Sequence, residues 1–256
     1  MMIYPNERVD FIQRKGYKVI QNPEVFCFGI DAVLLADFSK VKKKDKVLDI
    51  GTGTGIIPIL MFARYENKSY VGIDIQKDMI EMANRSIKMN KIEDHIEMRC
   101  LNIQDIMDYY PAGSFDIVTT NPPYMKGNAG LVSDNMAKMI ARHEITCSLE
   151  DIIKNAAYVL RDKGHFYMIH RPHRLVDIMA LMRQYRLEPK RLQMVHPSKG
   201  KAPTMVLIEG IKYAKAELIV EPPLYIYNRK GKYTDEIYEI YGMKKEQSGD
   251  MSRSKF

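Results

Sequence analysis

Short apolar runs alternate along the chain with longer stretches whose apolar residues recur every three or four positions. These are the two periods of alternating strands and helices. Lys46-Val47-Leu48-Asp49-Ile50 reads as a buried strand, and Ile56 to Arg64 as the helix behind it. Pro58 is compatible with that helix because it falls in the first turn. Tyr70 to Asp74 is a second strand ending in an acid, and Gln76 to Met89 an amphipathic helix with Met79, Ile80, Ala83 and Ile87 on one face. Ile96 to Leu101 and Phe115 to Val118 are the next two strands. Ser148-Leu149-Glu150-Asp151 has the form of a capping box, which opens a helix through Leu160 that Lys163-Gly164 closes. Phe166 to Ile169 is a fifth strand, and Leu175, Ile178, Met179 and Met182 mark another helix. Arg191 to His196 and Thr204 to Ile211 are late strands whose connector, with Pro197, Gly200 and Pro203, makes them a hairpin. Leu224 to Tyr227 reads as an edge strand and Thr234 to Tyr241 as a short helix.

This order predicts an α/β fold: a doubly wound, mostly parallel, seven-stranded sheet of Rossmann-like type with a late antiparallel hairpin. Residues 1–242 are expected to form one domain, with an N-terminal extension over 1–45 and edge additions over 213–242. Residues 1–25 show no period. Phe26 to Phe38 reads as a helix capped at Asp31, with Val33, Leu34 and Phe38 on its apolar side. Met125 to Thr146 is mixed, and Gly127, Asn128 and Gly130 predict flexibility in its first part. The polar stretch 243–256 predicts a disordered tail.

Composition narrows the field. A chain of 256 residues with 46% hydrophobic content suits one full-sized core. The 39 basic and 32 acidic side chains give a charge of +7, which permits an anionic partner such as nucleic acid without requiring one. Cys27, Cys100 and Cys147 lie far apart, which argues against a disulfide framework and a zinc site. The first residues have no apolar core of a signal peptide, and no apolar run approaches the ~18 residues of a membrane helix. The expectation is a cytoplasmic, monomeric protein with no membrane contact and no metal.

Two stretches carry the candidate chemistry. Gly51-Thr52-Gly53-Thr54-Gly55 follows the first core strand, where ligands of doubly wound sheets sit. Glycines there let the backbone approach a ligand. Asp74, at the end of the next strand, is placed to accept hydrogen bonds from a ribose diol. The pattern is D-x-G-x-G-x-G and not the G-x-G-x-x-G of dinucleotide sites, and Asp49 before the turn would repel a pyrophosphate. An acid there suits the ammonium group of a methionine moiety, so S-adenosylmethionine fits better than NAD. A glycine-rich strand end also arises as a plain tight turn. Asn102, after the third strand, is placed either to contact the adenine or to form a turn.

The second stretch is Asn121-Pro122-Pro123-Tyr124. Two prolines remove two backbone donors and fix two φ angles. An amide, a rigid carbonyl and an aromatic face within four residues suit a planar substrate bearing an amino group.

With Val47 to Gly55 and Asp74, this motif resembles the class I methyltransferases of the amino-group type, which act on adenine N6 or glutamine N5. Phe28-Gly29-Ile30-Asp31-Ala32-Val33-Leu34-Leu35 and the late hairpin make the chain similar, over about residues 8 to 230, to the bacterial tRNA adenine-N6 methyltransferase family that modifies a valine tRNA beside its anticodon. Asn102 departs from the acid usual there. The resemblance implies that Phe28 and Asp31 lie near the cofactor, that Asn121 and the Pro122 carbonyl grip the amine, and that Tyr124 stacks on its ring. It implies a tRNA substrate, with Arg171 and Arg174 after the fifth strand and Lys199 and Lys201 in the hairpin connector contacting phosphates, beside His173. Solvated basic residues are the plain alternative for each. Glutamine-N5 methylation of a protein is the rival activity, although only about forty-five residues precede the glycine strand. A DNA adenine methyltransferase would need a target-recognition region, and a non-catalytic RNA-binding module would not need Asn121 or the intact glycine loop.

Overall fold

The structure, a computed structural model, describes residues 3–25, 27–66, 69–123 and 147–243. Its strands are β1 (Arg8–Phe11), β2 (Lys18–Gln21), β3 (Lys46–Ile50), β4 (Ser69–Asp74), β5 (Ile96–Cys100), β6 (Phe115–Thr120), β7 (Leu160–His170), β8 (Leu187–Ser198), β9 (Met205–Lys212), β10 (Ile219–Val220) and β11 (Leu224–Tyr227). The helices are α1 (Ile30–Phe38), α2 (Ile56–Tyr65), α3 (Lys77–Asn90), α4 (Ile106–Tyr109), α5 (Leu149–Val159), α6 (Leu175–Gln184) and α7 (Asp235–Tyr241).

Among the described residues the main sheet has nine strands, in the order β10-β8-β9-β7-β6-β3-β4-β5, with β11 also paired to β8. The run β7-β6-β3-β4-β5 is parallel, while β9 is antiparallel to both β7 and β8. The expected seven strands and late hairpin are therefore present, and β10 and β11 lengthen the β8 edge.

Central strands of a parallel sheet are buried on both faces, and residue identity alternates accordingly. Val47, Ile117, Tyr167 and Leu207 enter a core shared with α1, α2 and α3. Their neighbours Leu48, Val118, Phe166 and Ile208 enter the opposite core, with α4, α5 and α6.

Three local expectations change. The N-terminal extension holds a β1–β2 hairpin laid on α3, where Asn90 exchanges hydrogen bonds with the Lys18 main chain and the Ser86 hydroxyl accepts from Ile20 N. Those partners lie about 70 residues away, so no local period announces the strands. Helix α1 is capped at Gly29, not Asp31, and buries Ala32 through Ala36 on all sides. It lies under α7 and against β7 as well as α2, so it has no solvent face to give a period. Helix α5 has the predicted capping box but ends at Val159, and the chain passes directly into β7. Lys163, at φ 61°, and Gly164 therefore lie inside β7, where its register against β6 shifts, and do not close the helix. Residues 124–146 and 244–256 lie outside the described residues, with the expectations made for them.

Candidate active site

Because β3 to β7 run in parallel, Ile50, Asp74, Cys100, Thr120 and His170 all end at one edge of the sheet. The strand order reverses between β3 and β6, and such a crevice is where ligands of doubly wound sheets bind. Here it opens into a cavity of about 320 Å³, within the roughly 300–1,000 Å³ of small-molecule sites. Gly51, Asp74 and Asn102 line it from the β3–β5 side, and Thr120, Pro122, Pro123, His170 and Arg174 from the other. Cys147, Ser148 and Leu149, at the start of α5, complete the wall.

The glycine loop folds over the end of β4. Gly51 N and Thr52 N both donate to the Ile73 carbonyl, and Gly53 N donates to Asp74 Oδ2 at 2.9 Å. Asp74 Oδ1 accepts from Gln76 N, so one buried carboxylate fastens the loop and the entry to α3 together. Gly51 and Gly53 have φ of 71° and 53°, the region that favours glycine, and a Cβ on either would meet no atom within 4 Å. Gly55 differs: its Cβ would lie 3.3 Å from that of Ala83 and 2.7 Å from Met98 Cε. It caps α2 against packed side chains and does not line the cavity.

Asp49 is 1% exposed. Its Oδ1 accepts from the Thr119 hydroxyl at 2.7 Å, across the β3–β6 pair, and its Oδ2 has no hydrogen-bond partner among the described residues. Burial pushes its carboxyl up to about 7, against the opposing Thr119 hydrogen bond and the neighbouring Thr52 hydroxyl, and with the Asp74 charge adding to the rise. Asn102 caps a short turn through Gln104 N, and it also faces the cavity. The turn and ligand-facing readings of this residue therefore coexist.

On the other side, Thr120 donates its hydroxyl to the Ile50 carbonyl at 3.0 Å. This bond ties the last residues of β3 and β6, so Gly51 and Asn121 leave neighbouring strands side by side. Pro122 is buried at the cavity wall; Asn121 is half-buried next to it but is not itself among the lining residues. Tyr124 lies outside the described residues.

Besides Gly53, Gly55 and Asn121, three further candidates do not line the cavity. Phe28 packs on the α1–α3 core, and its N–H is held by Gln21 Oε1 at 2.7 Å. Asp31 Oδ1 accepts from Ala32 N. Neither residue lines the cavity, and nor does Asp49, which sits beneath it. Among the basic residues, Arg174 reaches the cavity wall while bridging Asp177, and Arg171 donates to the Thr204 carbonyl. His173 lies in the short turn that precedes α6. Lys199 and Lys201 are exposed in the β8–β9 connector.

Sequence reading missed His170 and Thr119. His170 is 6% exposed, and burial, aided by the Arg174 charge, lowers its pKa to about 4. Its Nδ1 accepts from Arg171 N, which leaves the ring proton on Nε2. The available signal was position: His170 ends the strand beside the one that leads into Asn-Pro-Pro, and Thr119 stands near the carboxyl end of that strand itself.

A larger hollow of about 490 Å³ lies between α1, α2, α7 and β8. Two of its cations are engaged, Arg64 with Asp37, and Arg191 with Glu209 and the Phe38 carbonyl. None of the sequence candidates lines it.

Comparison with known proteins points the same way as this geometry. The family profile described as "Methyltransferase domain" matches residues 41–208. A protein of Phocaeicola vulgatus named tRNA1(Val) (adenine(37)-N6)-methyltransferase is 28% identical over 217 residues, covering 85% of this chain and 88% of the relative. One of the same name from Porphyromonas gingivalis is 29% identical over 206 residues, covering 78% of this chain and 80% of its own. Among solved structures, a predicted O-methyltransferase of Agrobacterium tumefaciens superposes with a TM-score of 0.68 at 22% identity, over 83% of this chain and 95% of that one. At that identity the likeness concerns the fold.

Proposed function

The chain belongs to the methyltransferase domain family, and from that premise we propose that it methylates the exocyclic N6 amine of an adenine in a tRNA anticodon loop, using S-adenosylmethionine. Its curated relatives carry that activity in their names. The carrying observation is that Gly51 of the glycine loop, Asp74, and Pro122 and Pro123 after β6 line a single cavity, with Asn121 adjacent to its wall.

The residues present fit the cofactor. Open space stands where a Gly51 side chain would project, the Asp74 carboxylate faces the cavity, and Asp49 keeps a buried oxygen without a partner among the described residues. In this reading Gly51 and Gly53 give room for the methionine part, Asp74 takes the ribose hydroxyls, Asn102 borders the adenine, and Asp49 balances the ammonium from below. When bound, the cofactor supplies a methyl group on a positively charged sulfur.

The chain's own work is to hold the acceptor. An adenine amine shares its lone pair with the ring and is a weak nucleophile. The Asn121 amide oxygen and the Pro122 carbonyl accept its two N–H hydrogens, which draws the nitrogen toward tetrahedral geometry and concentrates the lone pair. This is positioning plus stabilisation of the positive charge that develops on nitrogen. The alkylated ammonium is acidic enough to lose its proton to water. Tyr124 is assigned to stacking on the extruded base, and Arg171, Arg174, Lys199 and Lys201 to phosphates of the RNA. Residues 1–242 are taken as one domain.

Incubation with labelled S-adenosylmethionine and separate pools of tRNA, rRNA, DNA and protein tests this. Label is expected in tRNA as N6-methyladenine. Label in protein alone would replace the reading with glutamine-N5 transfer.

A further inference from the structure

The β8 edge carries a second set of cations that the active-site cavity does not use. Strand β11 pairs in parallel with β8, and Tyr227 stands opposite Ser198. Both strands run in the direction of β7, because β8 is antiparallel to β9 and β9 to β7. The segments that leave Ser198 and Tyr227 therefore emerge side by side, at the same edge of the sheet as the cavity. The first holds Lys199 and Lys201; the second, Asn228-Arg229-Lys230-Gly231-Lys232, holds three more. All five are exposed, none is in an ion pair among the described residues, and no acid stands within either segment. The first acids after them, Asp235 and Glu236, belong to the opening turn of α7.

The second segment is prefolded. Asn228 Oδ1 accepts from both Lys230 N and Lys232 N, Asn228 N donates to the Lys232 carbonyl at 2.8 Å, and Gly231 turns the chain at φ 73°. Tyr227 and Tyr233 stack at its base with centroids 5.5 Å apart. Thr234 then anchors the exit through the Tyr225 carbonyl at 2.7 Å. A turn held this firmly presents its cations with little further ordering to lose on binding. The connector is fixed as well, since the His196 ring bonds the Lys201 carbonyl at 2.7 Å.

We propose that the turn Asn228–Lys232, with the Lys199–Lys201 connector beside it, is a phosphate-binding face that grips the RNA at a distance from the methylated base. The inference rests on the RNA reading above and extends it to residues outside the cavity. Three strand steps separate β11 from β7 and four from β6, so the face lies about 14–19 Å from the cavity at the usual ~4.8 Å strand spacing. At about 3.4 Å per stacked nucleotide, that is roughly four to six nucleotides from the target. The face therefore engages a folded RNA that continues past its loop, and it does not touch an isolated nucleotide.

The test is the salt dependence of tRNA binding by the full chain and by the variant Arg229→Ala/Lys230→Ala/Lys232→Ala, read by filter binding or anisotropy. S-adenosylmethionine affinity and the far-UV spectrum should match wild type. The slope of log K against log salt should flatten by about 2, at about 0.7 per lost contact. The KM for tRNA should rise severalfold while kcat holds. Lys230→Glu alone should weaken binding in the same direction. Coincident slopes would overturn the proposal, and tRNA methylated normally with coincident slopes would overturn it while sparing the activity. A turn-dependent slope on tRNA that takes no methyl group would support this face and sink the activity instead. No measurable tRNA binding by wild type would sink both.

Discussion

Asp49→Asn should make the cofactor-free protein more stable above neutrality. The carboxyl is 1% exposed, and burial lifts it from an ordinary 3.8 to about 7. A shift of about 3 units corresponds to ~4 kcal/mol at 1.36 kcal/mol per unit. The sign follows from which state holds the proton. Below an ordinary carboxyl pKa of about 4 both states are protonated, and Asp49 costs nothing. Between about 4 and 7 the unfolded chain ionises while the folded chain keeps its proton, so stability falls as pH rises. Above about 7 the full cost is in place. An asparagine removes the charge and still offers an oxygen to the Thr119 hydroxyl. Its NH₂ group replaces an oxygen that has no partner among the described residues, which costs roughly 1–3 kcal/mol. The net gain at pH 8 is then ~1–3 kcal/mol. At about pH 5 the wild-type penalty has shrunk to ~1.5 kcal/mol, and the gain should vanish.

Urea denaturation of both proteins at the two pH values reads this directly. Other titrating groups are common to the pair and cancel in the difference. A variant no more stable than wild type at pH 8, or a difference independent of pH, would refute the argument. The same variant should bind S-adenosylmethionine more weakly, since a buried anion that costs stability when empty is the charge a bound ammonium would stabilise. A site that spends stability on function in this way is a common trade-off.

Three further substitutions separate the roles. Asn121→Ala should lower kcat by about 10²–10³, the scale of losing one aimed dipole, while calorimetric affinity for S-adenosylmethionine stays near wild type; near-normal turnover would remove Asn121 from the mechanism. Asp74→Ala should weaken cofactor binding, because it unfastens Gly53 N and removes the cavity carboxylate; unchanged affinity would count against the ribose assignment. Glu209→Gln should act on the fold alone. Burial by itself would raise Glu209, yet hydrogen bonds from His165 and Arg191 hold it down at about 2. Its contribution is present above its ordinary value and is lost as pH falls toward 2. The variant should therefore lose ~2 kcal/mol at pH 7, discounted for solvent at the His165 rim, and converge on wild type only as pH falls to about 2; a gap as wide at pH 2 as at pH 7 would argue against it.

What the sequence made legible is what short range controls. Ser148 and Asp151 form their capping box from four consecutive residues, and the glycine loop carries its own backbone requirement. Strands β3, β4 and β6 were visible because burial on both faces writes continuous apolar runs. The hairpin β1–β2 was not, because its partners Ser86 and Asn90 are far along the chain. Helix α1 kept its existence but lost its cap, since a helix buried all round has no period from which to count. His170 escaped for a different reason. The sequence pattern ends the fifth strand at Ile169, one residue short of His170, so it does not place this histidine at the carboxyl edge although it places its neighbours there.

The same distinction explains why the two halves of the site meet. Each half arises from a loop, and loops alone would place them only loosely. Here Ile50 and Thr120 are paired residues of neighbouring strands, and each half begins on the next residue, Gly51 or Asn121. The Thr119–Asp49 and Thr120–Ile50 bonds lock that pairing on side chains as well as on the ladder. The distance between cofactor loop and amine-binding loop is thus set by strand spacing, about 4.8 Å, which is the least deformable length in the fold. A slip of β6 that put Val118 opposite Asp49 would turn Thr119 away from it. It would strip the buried carboxylate of its Thr119 donor, so against that slip the buried acid helps to enforce the register that aligns the chemistry.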